Sequence, residues 1–397
     1  MRDRLSNPFL PGAGAVPQVW IGRREFLDGH DVTRLARLRG IYTPGMVLIG
    51  PSGIGKSVLV NRLAARSAAE GDVVLDAVRV ARRSDPVSQL AGAVRDAASQ
   101  VAFGRRRGTF QELLDRVEVV AVKGVQFAVR EGVGNPHLAV RDALVHLGTV
   151  LARENVGRPQ PRALMLRLDE LQNADDTQRS ALLTAIGDLL ERTTELDLPG
   201  QELSVHLPVL VYITGLPDLL NRATNVDTFR RRFDTRKLSL FVDSEVTSSL
   251  LGARLPDGVR FTDAAAARLA ELVGGDPYLF QYVGQAAWNV GDGNQIEVGE
   301  VEEAGGLTYA ERLRIVEAAS EDVPPGEAEV LDALYAVAGD GDVARGTAVA
   351  ARLGRTPPQI ATAARRLEQR ALIVRERGGW RVTHGLVRRL RETGDII

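Results

Sequence analysis

A chain of 397 residues, 44% hydrophobic and 25% charged, is long enough for two or three domains and for a sizeable buried core. The absence of cysteine excludes disulfides, thiolate metal centres and cysteine nucleophiles, and fits a reducing compartment. Fifty basic and fifty-one acidic residues nearly cancel, so the total of −1 identifies no partner and only the distribution of charge along the chain is informative.

The start, Met1-Arg2-Asp3-Arg4, is not followed by an apolar run of signal-peptide length. No segment has the roughly eighteen apolar residues of a membrane span. A cytoplasmic protein with no membrane contact is therefore expected. Residues 1–20 are rich in Pro and Gly and read as an ordered arm lying on the core, and a helix fits Arg24–Leu38. Gly45-Met46-Val47-Leu48-Ile49-Gly50 is an apolar run entering a glycine loop, the pattern of a buried strand.

That loop, Gly50-Pro51-Ser52-Gly53-Ile54-Gly55-Lys56-Ser57, fits G-x-x-x-x-G-K-[ST] in full. Its glycines let backbone N–H groups turn inward on phosphates. The helix expected from Ser57 to Ala69 adds the positive end of its dipole. Lys56 is placed to reach the β/γ oxygens of ATP, and the Ser57 hydroxyl to ligate Mg²⁺. A plain glycine turn is the bland alternative, and the apolar strand before and amphipathic helix after argue against it.

Val73-Val74-Leu75 reads as a second strand. Residues 84–155 read as mostly helical, with a turn at Gly104-Arg105-Arg106-Arg107-Gly108 and partial alternation over Val117–Arg130 suggesting a hairpin. Ala163–Leu168 is a strand that runs into Asp169-Glu170. At the carboxyl edge of a parallel sheet, Asp169 can hold Mg²⁺ and Glu170, one residue on, can polarise the attacking water. The competing reading makes Asp169 or Asp175 a helix N-cap. A helix over Thr177–Thr194 and a strand over Pro208–Thr214 follow. Strands separated by helices indicate a parallel α/β sheet.

Thr214 ends its strand in a hydroxyl that can touch the water or the γ-phosphate, or simply terminate the strand. Arg230-Arg231-Arg232 precedes a strand-like run, Lys237–Val242. An arginine there can neutralise transition-state charge in a neighbouring subunit, or belong to a solvated helix end.

In this order the motifs resemble the AAA+ superfamily over nearly the whole chain, and within it initiator-like and STAND-like ATPases of actinobacterial type. Asn7-Pro8-Phe9 with Ile21-Gly22-Arg23-Arg24-Glu25 looks like the adenine-contacting box, so the resemblance assigns Ile21 and Gly22 to the nucleotide. Pro51, Ser52, Gly53, Ile54, Gly55, Lys56, Ser57 and Val58 fall in Walker A. Asp169 and Glu170 fall in Walker B, Thr214 at sensor 1, and Arg230–Arg232 in the arginine-finger region. Gly274-Gly275-Asp276-Pro277-Tyr278-Leu279-Phe280 resembles the lid-helix motif. Pro277–Trp288 contains no sensor 2 arginine. Pro277 and Tyr278 are expected to pack on the adenine instead. The long interval from Lys56 to Asp169 marks 84–155 as an insertion and a place for a protein partner.

The segment Ser244–Glu303 reads as a helical lid, followed by a connection near 304–325. The tail reads as helices Gly326–Ala338, Thr347–Leu353 and Pro357–Ala371, then strands Leu372–Arg377 and Trp380–Thr383 around Gly378-Gly379. This is a winged helix-turn-helix pattern. Between Arg345 and Arg391 stand twelve arginines against two glutamates. With Pro357–Ala371 as recognition helix, Arg365, Arg366 and Arg370 face duplex DNA, and Arg377 joins them from the wing. Trp380 is expected beneath the wing.

The fold expected is therefore an α/β P-loop parallel sheet with a helical lid and a C-terminal winged helix, divided as 1–244, 245–305 and 306–397. The function expected is a DNA-coupled ATPase switch, with ATP and Mg²⁺ as cofactors and a homo-oligomer wherever an arginine acts in trans. The rival is a signalling or assembly ATPase whose winged helix binds protein. A small-molecule kinase fits the lid and tail poorly. Sequence leaves the biological process open.

Overall fold

The structure is a computed structural model. It describes every residue except 1, 13, 15, 52, 83, 99–100, 102–114, 116, 123–134, 199–200, 221–230, 322, 339–342, 371, 383–384 and 397. The expected turn at 104–108 lies outside the described residues. The chain forms two compact units, each discontinuous in sequence: residues 24–49 with 59–237, and residues 1–23 with 50–58 and 238–397.

The first unit is an α/β layer structure. Its helices are α1 (Arg24–Leu38), α2 (Lys56–Ala69, whose first turn belongs to the other unit), α3 (Pro86–Ala98), α4 (Pro136–Glu154) and α5 (Asp176–Glu191). Its central sheet contains β1 (Gly45–Ile49), β2 (Val73–Val74), β3 (Val78–Arg79), β4 (Leu164–Asp169), β7 (Val209–Gly215) and β8 (Phe233–Lys237). The order is β2-β4-β7-β1-β8, with β3 also on β4, and every pairing is parallel. Parallel strands need helical crossovers, which cover both faces of the sheet. This is why β7 reads as an uninterrupted buried run, Val-Leu-Val-Tyr-Ile-Thr-Gly.

Buried polar groups here are matched with partners far away in sequence. Arg34 on α1 donates to both carboxylate oxygens of Asp72 at 2.7 and 2.9 Å, and Asp72 accepts from the Ala163 N–H at 2.8 Å. His30 is fully buried between the Tyr212 hydroxyl, at 2.6 Å from Nδ1, and the Ser67 hydroxyl, at 3.3 Å from Nε2. Burial pushes its pKa down to about 4.

Several expected elements are revised. The helix expected over Thr177–Thr194 stops at Glu191, and β5 (Thr193–Leu198) and β6 (Gln201–His206) form a separate antiparallel hairpin. The alternation Thr-Thr-Glu-Leu-Asp-Leu before Pro199-Gly200 was its signal. The strand expected at Lys237–Val242 lies earlier, at Phe233–Lys237. Residues 117–122, expected in a hairpin, are helical.

The second unit contains α6 (Asp243–Leu251), α7 (Asp263–Val273), α8 (Pro277–Val290), α9 (Val298–Leu307) and α10 (Tyr309–Glu321), with a two-stranded ladder of β9 (Arg260–Phe261) and β10 (Gln295–Ile296). The connection expected near 304–325 is mostly helix α10. The tail consists of α11 (Pro325–Ala338), α12 (Gly346–Arg352), α13 (Pro357–Gln369), the antiparallel hairpin β11 (Ile373–Glu376) and β12 (Gly379–Val382), and α14 (Gly385–Thr393), which was not expected.

The N-terminal arm packs on α8. The Phe9 ring meets Phe280 edge-on at 5.6 Å, and the Trp288 indole donates to the Asp3 carbonyl at 2.9 Å. One apolar core runs from this arm through α6–α10 into the tail. Within it the buried Arg312 guanidinium donates to the carbonyls of Leu272 at 2.9 Å and of Gly305 and Ile396 at 3.3 Å. Among the described residues, no helix is long and apolar enough to cross a membrane.

Candidate functional site

The phosphate loop follows β1 directly. Gly53 and Gly55 have φ of +80° and +86°, values that L side chains rarely adopt, so the two motif glycines are required by the backbone path. Ile54 between them is 3% exposed. The Lys56 ammonium turns back into the loop, donating to the Gly50 carbonyl at 2.9 Å and the Pro51 carbonyl at 2.7 Å. Helix α2 starts at Lys56, so its first N–H groups lack intrahelical partners and are directed at the loop side. Ser57 and Val58 are half-buried in that first turn. Ser52 lies outside the described residues.

The glycine turn at Gly274-Gly275 belongs to the same unit as the phosphate loop. Asp276 caps α8, accepting from the N–H groups of Tyr278 at 2.8 Å and Leu279 at 2.9 Å. Burial pushes its carboxyl up, opposed by those two donors. Pro277 is the first residue of α8, and a Cβ placed on Gly55 would lie 3.9 Å from the Pro277 Cβ. Gly275 has φ +78°, and a Cβ there would fall 2.1 Å from the Phe241 carbonyl oxygen. Tyr278 is exposed, stacks on Tyr282 at 5.8 Å and donates to Glu311 at 3.4 Å. Ile21 is buried, and the carbonyl of Gly22 (φ +50°) accepts from the Trp20 indole at 2.9 Å. The Arg23 guanidinium lies 4.6 Å from the Phe241 ring centroid, a contact that sequence reasoning missed because no local signal links residues so far apart.

At the sheet's carboxyl edge, β4 ends at Asp169 beside β7, and the buried Thr214 hydroxyl donates to the Asp169 carboxylate. The Glu170 N–H donates to Thr214 Oγ1 at 3.3 Å. Glu170 itself has φ +59° and ψ +38°, a left-handed conformation that costs a non-glycine residue of order 1 kcal/mol or more. Its carboxylate accepts from the Gln172 amide, and Gln172 Oε1 accepts from the Leu216 N–H at 3.1 Å. Asp175, not Asp169, caps the following helix, accepting from the Gln178 N–H at 2.8 Å. Arg167 donates to the Asn61 amide oxygen and the Leu75 carbonyl, each at 3.0 Å. Gln172, which no sequence pattern singles out, links Glu170 to the Leu216 backbone.

With the glycine loop, the Asp-Glu strand end and the parallel sheet in view, the comparisons with known proteins can be set beside this geometry. Residues 20–198 match the AAA ATPase domain. No curated protein matches the chain. Among solved structures, the Walker-type ATPase PABY2304 of Pyrococcus abyssi is similar at 15% identity and TM-score 0.49, covering 94% of this chain and 96% of that one. Orc1 of Aeropyrum pernix, solved in complex with DNA, is similar at 17% identity and TM-score 0.44, covering 96% and 95%. The RuvB branch migration motor of Thermotoga maritima is similar at 15% identity and TM-score 0.41, covering 96% and 99%.

The span matching the AAA ATPase domain contains Ile21, Gly22, the phosphate loop, Asp169 and Glu170. Thr214, the three arginines, Pro277, Tyr278 and the tail lie beyond it. Arg230 is outside the described residues. Arg231 is exposed, and its carbonyl accepts from the Tyr42 hydroxyl at 3.4 Å. Arg232 is held by Asp188 at 3.0 Å and Glu191 at 2.8 Å.

In the tail, Arg365, Arg366, Arg370 and Arg377 are all exposed, and two of them, Arg366 and Arg370, pair with the buried Glu327 at 3.3 and 3.2 Å. Trp380 lies against Gly346, where a Cβ would fall 2.8 Å from its ring.

Proposed function

We propose that this chain is an ATP-driven switch that binds ATP with Mg²⁺, hydrolyses it, and couples nucleotide state to duplex DNA through a C-terminal winged helix. The observation that carries the nucleotide half is the phosphate loop itself. Two positive-φ glycines, a buried isoleucine and an inward-turned lysine stand at the N-terminus of α2, an arrangement whose free backbone N–H groups suit a phosphate. The donor set proposed for the metal, the Ser57 hydroxyl and the Asp169 carboxylate, has the hard oxygen chemistry that Mg²⁺ takes. When bound, Mg²⁺ supplies charge neutralisation on the phosphates.

The chain's own residues would then divide the work. Lys56 exchanges its contacts with the loop carbonyls for phosphate oxygens. Thr214 orients the Asp169 carboxylate through its hydroxyl. Glu170, fixed by its left-handed backbone and by Gln172, accepts a proton from the attacking water. Ile21, Gly22 and Pro277 frame the base end, and Tyr278 joins them by leaving its stack on Tyr282. Since Arg232 is already paired, Arg230 and Arg231 are the members of the cluster we assign to a neighbouring subunit's phosphate in a homo-oligomer. The functional division proposed is a core over 1–244, a lid over 245–305 and a DNA-binding tail over 306–397, in a cytoplasmic protein.

Support for the DNA half comes from α11–α13 followed by the β11–β12 hairpin, and from the arginine excess of this segment. A second reading, in which the tail binds protein, is favoured by one observation. Arg355, Arg366, Arg370, Arg381 and Arg391 are already paired with Glu329, Glu327, Glu376 or Asp332, which reduces the positive field. ATP turnover with and without duplex DNA, with Glu170→Gln as the blank, tests the reading. A DNA-dependent rate and a dead variant are expected. Turnover indifferent to DNA would move the tail to protein contact, and turnover surviving in the variant would remove Glu170 from the proton transfer.

A further inference from the structure

The arginines of the tail are not equivalent, and their division follows from the faces of α13. Ile360, Ala364 and Leu367 are buried and set the inner face of this helix. Arg366 and Arg370 are one turn apart on one flank, and both reach Glu327 of α11, which is 4% exposed. A carboxylate at that depth requires its cations, because removing them would leave a buried unpaired charge. The opposite flank carries Arg365 and, one turn on, Glu368, whose carboxylate accepts from the Arg375 N–H at 3.2 Å and so joins α13 to β11. Arg365, Arg375 and Arg377 are exposed, and among the described residues they make no ion pair. The carboxylate nearest the hairpin tip, Glu376, is committed to Arg381 at 2.6 Å.

We infer that the edge formed by α13 and the β11–β12 hairpin, through Arg365, Arg375 and Arg377, is a surface for the phosphate backbone of duplex nucleic acid. Glu327 withdraws Arg366 and Arg370 from it. This rests on the DNA reading above and revises which residues carry it. Three guanidinium groups that make no ion pair among the described residues, along one edge, match a polyanion with regularly spaced charges. They contact phosphates, so the binding is insensitive to base sequence.

The test is the salt dependence of binding between the full chain and short duplexes of unrelated sequence, followed by fluorescence anisotropy. Alanine at Arg365, Arg375 or Arg377 is expected to reduce the log–log salt slope by about 0.9 each, alike for every duplex. Arg366→Ala and Arg370→Ala are expected to lower thermal stability and leave the slope unchanged. Glu327→Gln, which releases both arginines, is expected to steepen the slope. Should that variant fail to fold, the single Arg366→Gln and Arg370→Gln variants carry the test, an unchanged slope in both being expected and a fall in either counting against the withdrawal of these arginines. A slope that falls at Arg366 and Arg370 but not at Arg365, Arg375 and Arg377 overturns the inference and leaves the DNA reading standing. A wild-type chain that binds no duplex at low salt, or binds polyglutamate as well as DNA, overturns both.

Discussion

The phosphate loop and the C-terminal arginine cluster make an instructive pair. In the loop, the chemistry follows from eight consecutive residues, because the donors that matter are backbone N–H groups whose direction is fixed by two glycines at φ +80° and +86°. In the tail, twelve arginines stand between residues 345 and 391, yet among the described residues five of them are paired with carboxylates up to 59 residues away. A motif whose geometry is local states its own function. A charge cluster states only a total, and folding decides how much of it is left for a partner.

That contrast can be broken or sharpened at graded cost. The largest effect is expected at Glu170, where Gln in place of Glu should cut ATP turnover about 1,000-fold while ATP affinity stays near wild type. Isothermal titration beside steady-state turnover separates the two, and a fall in affinity of the same size would make Glu170 a binding residue. Lys56→Ala should weaken ATP binding about 300-fold, about 3.4 kcal/mol, since a charge-assisted set of hydrogen bonds is lost. Unchanged affinity in titration calorimetry would show that the local motif does not state its own function.

On the non-local side, His30 links α1, α2 and β7 as a neutral ring with its pKa lowered to about 4. The unfolded chain takes up a proton at this site below about pH 6.5, whereas the folded one does not until about pH 4. Stability from His30 is therefore complete above pH 6.5 and is lost as pH falls toward 4, by about 3 kcal/mol in all. Urea unfolding across that range, with His30→Gln showing a flatter profile, is the expected result. An identical pH slope in both proteins would refute it.

The smallest effect is assigned to Arg232. Its side chain is partly exposed and paired with Asp188 and Glu191, so Arg232→Ala should cost about 1 kcal/mol in thermal unfolding. Turnover should change less than about threefold, well short of the 10³–10⁵ that a phosphate-contacting arginine contributes. A collapse of turnover would mean that the ion pair opens on assembly and that Arg232 serves a neighbouring subunit.

The sequence alone determined the elements whose causes are short-range. These are the strand–loop–helix around Gly50–Ser57, the strand ending in Asp169-Glu170, the Asp276-Pro277 start of α8, and the helix–hairpin order of the tail. Apolar runs, caps and glycines encode these within a few residues. Only the tertiary structure decided the rest. It paired β4 with β7 so that Thr214 meets Asp169, put Gln172 against Glu170, brought Phe241 onto Gly275 and Arg23, and gave Glu327 two of the arginines of α13. Each of these contacts except Gln172–Glu170 joins residues more than thirty positions apart, where no periodicity carries information and packing alone selects the partner.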